Sequence, residues 1–102
     1  MKVINSNEFD ATISEGTVLV DFYADWCVPC QQLTPVLEEL SNEYSGKVEF
    51  VKVDIEESND LAERFGIMSI PTIILFKDGE VAKQMVGFQP KQMFAQSINE
   101  VL

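Results

Sequence analysis

The 102-residue chain contains no histidine, and that absence removes much of the chemistry open to a small protein. Without imidazole there is no Cys–His nucleophile pair and no His-containing zinc site. Cysteine is nearly as scarce. There are two, Cys27 and Cys30, and two thiols alone do not make a structural zinc site. Basic residues number 7 against 17 acidic ones, for a net charge of −10. Nucleic-acid affinity rests on a basic footprint, so nucleic acid is not an expected ligand. Long apolar runs are missing too. VLVDFYA and TIILF are strand-sized and far short of the roughly 20 residues that span a bilayer. The N-terminus, MKVINSNEFD, has one lysine and no apolar run of signal-peptide length. The chain is therefore expected to work in the cytoplasm, away from membranes.

What is present suits a single packed domain over residues 1–102, with 46% hydrophobic and 24% charged residues and no linker, repeat or low-complexity segment. A monomer is expected. Val3-Ile4 reads as a short strand, and Asn5 or Ser6 as the cap of a helix over Glu8–Ser14. Val18–Tyr23 is a near-continuous β-branched and aromatic run, the pattern of a strand covered on both faces. Leu33, Val36, Leu37, Leu40 and Tyr44 recur at helical spacing over about Cys27–Tyr44, with Pro35 expected to kink the helix. Val48–Asp54 alternates as a strand. Asn59–Phe65 reads as a helix capped by Ser58, and Thr72–Phe76 as a buried strand. Asp78-Gly79 signals a hairpin to Val81–Val86. A last helix over Pro90–Val101 has Pro90 in its first turn. The order β-α-β-α-β-α-β-β-α argues an α/β domain with a mixed sheet.

The chemistry-bearing residues are Trp26-Cys27-Val28-Pro29-Cys30, between a buried strand and a long helix. The start of a helix has unpaired N–H groups and the positive end of the dipole, which stabilise a thiolate. Cys27 and Cys30, three apart, share one helix face and can close a small disulfide. Pro29 is tolerated because first-turn N–H groups make no helical bond. Cys27 is then the exposed nucleophile, which forms a mixed disulfide, and Cys30 the resolving thiol. The alternative is a structural pair or half a zinc site.

Asp21 interrupts an otherwise apolar strand. A poorly solvated carboxylate there has a raised pKa and can act as the base for Cys30, directly or through water. The plainer alternative is a strand-end acid bonded to a helix cap. Lys52 can approach Asp21 from a neighbouring strand, or simply reach for water. Pro71 precedes a strand, and its isomer is open, since most X-Pro bonds are trans. Gly87 either admits a substrate backbone or ends a strand.

The pieces VLVDFYADWCVPC, TPVLEEL, VKVDIEE, FGIMSIPTIILFKDGE and VGFQPK, in that order and spacing, make the chain resemble the thioredoxin family over essentially its whole length. The resemblance implies the thioredoxin fold, a central mixed sheet of about five strands flanked by four helices. It implies a protein-disulfide reductase with Cys27 as nucleophile, Cys30 resolving and Asp21 as buried proton acceptor. Val28, Pro29 and Lys52 fall where redox tuning is expected. Pro71 matches the family's cis-proline, and Trp26, Ile70, Val86 and Gly87 match its apolar docking surface, together with Val28. No bound cofactor is implied. Electrons come from NADPH only through thioredoxin reductase, and pass to disulfides of reductases, peroxidases and other proteins. The alternatives are a specialised oxidase or isomerase, or a thiol-independent binding module. Three positions differ from the family pattern. Val28 replaces the usual glycine, Gln31 replaces a basic residue, and Phe88 replaces a smaller one, either widening the docking patch or folding into the core.

Overall fold

Strands and helices alternate as the hydrophobic periods require. The elements are β1 (Lys2–Val3), α1 (Ser6–Ile13), β2 (Thr17–Tyr23), α2 (Val28–Glu43), β3 (Val48–Asp54), α3 (Asn59–Arg64), β4 (Thr72–Lys77), β5 (Glu80–Val86) and α4 (Lys91–Val101). A computed structural model describes residues 1–102. One five-stranded sheet has the order β1-β3-β2-β4-β5. β3 is parallel to both β1 and β2, while β4 is antiparallel to β2 and to β5. The mixed sheet with four helices is the thioredoxin fold.

β2 is the central strand, and all seven of its residues are buried. Successive side chains point to opposite faces. Val18, Val20 and Phe22 join Phe9, Ile13, Leu61, Ile74 and Phe76 on the side of α1 and α3. Leu19 joins Leu33, Leu37, Leu40, Phe94 and Ile98 on the side of α2 and α4. Asp21, two residues from Leu19, therefore lies on the α2 side of the sheet.

The element ends show where local chemistry overrode simple pattern. Asn5 caps α1 reciprocally: its side chain accepts from the Glu8 N–H at 3.1 Å, and its own N–H donates to the Glu8 carboxylate at 3.1 Å. The helix consequently starts at Ser6, two residues before the expected Glu8. Ser58 occupies the N-cap of α3, but its hydroxyl makes no capping bond. Pro90 is outside α4, at the N-cap, because its ψ of 150° is extended. Pro35 lies inside α2 without ending it. The β4–β5 hairpin turns on Asp78 (φ 50°) and Gly79 (φ 88°), the pair of positive φ values that an Asp-Gly turn supplies.

Candidate active site

β2 delivers the chain to a short turn, Ala24–Cys27, from which α2 departs. The turn is closed by the Cys27 N–H donating to the Ala24 carbonyl at 3.1 Å. Cys27 is the N-cap of α2, with extended dihedrals (φ −83°, ψ 109°), one step earlier than the first-turn position expected. Its sulfur does the work a serine or aspartate oxygen does at other helix starts. The Cys30 N–H donates to Cys27 Sγ at 3.2 Å. Cys27 and Cys30 are joined as a disulfide, with Cα atoms 5.2 Å apart. Pro29 falls in the first turn, where its missing N–H leaves no helical bond unmade, and Val28 projects outward from the same turn, 57% exposed. No acidic residue sits in that turn to offset the dipole's positive end.

Tyr23, Ala24, Ile55 and Ile70 pack around the two sulfurs, so that Cys27, expected to be exposed, is buried at 4% exposure, hardly more open than Cys30 at 3%. The Ile70-Pro71 peptide bond is cis, and the Ile70 carbonyl oxygen lies 3.8 Å from Cys27 Sγ. The Gly87 N–H donates to the Pro71 carbonyl at 2.8 Å, which ties the end of β5 to the proline turn. Gly87 has φ 90°, and a Cβ there would meet nothing within 4 Å. Glycine is needed for the backbone, and the space above it is open.

Asp21 has no exposed surface, and neither carboxylate oxygen has a hydrogen-bond partner. The strand-end cap alternative is thereby set aside. Burial pushes its pKa up to about 7, against a smaller downward pull from Lys52. Lys52 is the register partner of Asp21 on β3, but its ammonium lies over the Tyr23 ring, 4.1 Å from the centroid. A cleft of about 80 Å³, lined by Cys30 and Lys52 among others, opens between the resolving position and this lysine, roomy enough for water.

Trp26 (65% exposed), Val86 and Phe88 stand in solvent, so Phe88 does not enter the core. Two contributions escape the sequence patterns. Gln31 braces the active-site turn by donating from Nε2 to the Asp25 carbonyl at 2.7 Å. Ile55, Ile67, Met68 and Ser69 join Trp26 and Ile70 around an apolar groove of about 280 Å³. Met68 is 95% exposed, which no helical or strand period marks. No cluster of three or more Cys, Asp or Glu side chains is placed to hold a metal ion, and no helix is long and apolar enough to cross a membrane.

Comparison with known proteins agrees with this geometry. The family model for thioredoxin matches residues 1–100. The chain is 49% identical to thioredoxin of Staphylococcus haemolyticus over 102 residues, covering all of this chain and 97% of the relative. It is 50% identical to that of Staphylococcus saprophyticus over the same span. It is 48% identical to that of Bacillus subtilis over 94 residues, or 92% of this chain and 90% of the relative. A dithiol pair at disulfide distance on a thioredoxin fold, with such relatives over the full length, identifies the chain as a member of the thioredoxin family and a thiol–disulfide oxidoreductase that reduces protein disulfides.

Proposed function

We propose that Cys27 is the attacking sulfur, Cys30 the resolving one and Asp21 the proton acceptor between them. In the dithiol form the Cys27 thiolate attacks one sulfur of a substrate disulfide. A Cys27–substrate bond forms, the substrate S–S bond breaks, and the departing thiolate takes a proton from water. Cys30 gives its proton to Asp21, directly or through water, and attacks Cys27 Sγ. The Cys27–Cys30 bond forms, the mixed disulfide breaks, and the second substrate sulfur leaves as a thiolate that takes a proton from Asp21 or water. Two electrons have passed from the dithiol to the substrate.

The observation that carries this reading is the Cys30 N–H aimed at Cys27 Sγ at the start of α2. A donor there favours thiolate over thiol, and the thiolate is the nucleophile. Asp21 supports it, because a carboxyl with a pKa of about 7 both takes and returns a proton at neutral pH. Val28 and Pro29, between the sulfurs, and Lys52, beside the acid, tune the couple. Trp26, Ile70, Val86 and Gly87 receive the protein substrate around the Ile70-Pro71 turn.

Residues 1–102 act as one monomeric unit in the cytoplasm, where thiols are kept reduced. Thioredoxin reductase returns the disulfide to the dithiol with electrons from NADPH, and disulfide-bearing reductases and peroxidases consume them. The test is trapping. Cys30→Ser accumulates a mixed disulfide with a protein substrate on a non-reducing gel, and Cys27→Ser accumulates none. Equal trapping by both variants would overturn the assignment.

A further inference from the structure

The charges are unevenly placed along the sheet. β2 starts at Thr17, between Val48 and Lys77, and ends at Tyr23, beside Asp54. The bases avoid the second end. Lys2, Arg64, Lys83 and Lys91 are each held in ion pairs with acids. Lys91 is bound by Glu39 and Glu43, in the half of α2 remote from the cysteines. Lys77 bonds Thr17 Oγ1 at the far end of β2, and Lys47 adjoins Val48 there. Only Lys52 reaches the cysteine end, and it is engaged with the Tyr23 ring.

The acids following β2 and at the end of β3, Asp25, Asp54, Glu56 and Glu57, are in no ion pair with a base. One Asp54 oxygen is occupied by the N–H groups of Glu56 and Glu57, which gathers three carboxylates on one turn. Asp54, Asp25 and Glu57 all bear on the Tyr23 hydroxyl, whose pKa is raised by burial first and then by these acids and Asp21.

The same turn lines the apolar groove. Ile55, flanked in sequence by Asp54 and Glu56, lines it together with Trp26 and Met68. The groove runs to Ile70, whose carbonyl lies beside Cys27 Sγ. No charged side chain lines it. A ligand seated there reaches the Ile70 carbonyl beside the attacking sulfur, and the wall formed by Ile55 belongs to the turn that carries the Asp54, Glu56 and Glu57 carboxylates.

We propose that this groove takes an apolar side chain of a polypeptide disulfide, and that its acidic edge selects partners carrying lysine or arginine next to that side chain. The inference rests on Cys27 as the attacking sulfur. Four carboxylates against one occupied ammonium repel an acidic segment and favour a basic one, in encounter rate above all. Met68 and Trp26 supply contact area whatever the charge, so the groove governs binding and the edge governs choice.

The experiment compares two disulfide-linked peptides with the same leucine beside the attacked cysteine, one carrying two lysines and the other two glutamates. Hydroxyethyl disulfide serves as a small uncharged reference. At about 0.01 M salt the lysine peptide has about tenfold higher kcat/KM, and at about 1 M salt the two converge as screening shortens from about 30 Å to about 3 Å. Joint replacement Glu56→Gln and Glu57→Gln, both exposed, lowers the ratio at low salt. Leucine-to-serine exchange in either peptide lowers kcat/KM at both salt concentrations. A ratio near one at low salt, or one that salt leaves unchanged, overturns the inference while hydroxyethyl disulfide is still reduced. If hydroxyethyl disulfide is not reduced either, the assignment of Cys27 falls first and this inference with it.

Discussion

Asp21 and Lys52 are register partners on adjacent parallel strands, and the Lys52 ammonium rests 4.1 Å from the centre of the Tyr23 ring without forming an ion pair with the acid beside it. The carboxylate is left in the core with no hydrogen bond. Its neutral form is therefore the one the fold prefers, and two consequences can be measured.

The first concerns stability. Asp21 has a folded-state pKa of about 7 against an ordinary 3.8. Between those values the folded protein binds more protons than the unfolded chain, so stability falls as pH rises. The loss is complete above pH 7 and amounts to about 4 kcal/mol at most. Asp21→Asn removes the titration. Urea unfolding should find the variant a few kcal/mol more stable than the parent at pH 8 and near parity at pH 4. A parent whose stability does not change across that window would show that Asp21 does not titrate there.

The second concerns Lys52. Its charge lowers the Asp21 pKa against the larger effect of burial. Lys52→Leu should raise that pKa further, read as an upward shift in the carboxyl resonance titration of Asp21. The same shift should appear in the pH dependence of mixed-disulfide resolution. A shift in the resonance but not in the kinetics would remove Asp21 from the second step.

The cysteines differ in environment. Cys27 receives the Cys30 N–H at the end of a helix, whereas Cys30 is one turn in. Limiting iodoacetamide should therefore label Cys27 first in the reduced protein, with peptide mass as the readout. Preferential labelling of Cys30 would reverse the roles assigned above.

Gly87 sits at φ 90° with open space where a Cβ would be. Gly87→Ala should cost about 1 kcal/mol of stability through backbone strain alone. It should also raise KM for a protein substrate more than for hydroxyethyl disulfide, because the added methyl stands on the docking face. An equal effect on both substrates would confine Gly87 to a backbone role.

The redox pair, the buried acid and most of the fold were legible because each has a local pattern. β3 has the expected bounds, Val48–Asp54, although both its faces are packed, Val48 and Phe50 on one side and Val51 and Val53 on the other. Asn5 and Glu8 form the capping box their spacing suggests, though the helix begins at Ser6. Pro90 was misplaced because the pattern cannot see ψ, and an extended ψ excludes it from α4. The groove residues Ile55, Ile67 and Met68 lie in loops, where apolar residues carry no period. Their common surface exists only once β3 and the Ile70-Pro71 turn are brought together. Lys52 was legible as a neighbour of Asp21 by strand register, but not its preference for the face of Tyr23.

The disulfide joins two residues separated by only three positions, both at the start of one helix. A crosslink that short removes little freedom from the unfolded chain compared with one closing a long loop. The two main packed clusters, on either side of the sheet, contain neither cysteine. Oxidation and reduction thus alter one bond at the rim of a scaffold held together by other means. The packing that holds the shape does not depend on the bond that turnover makes and breaks.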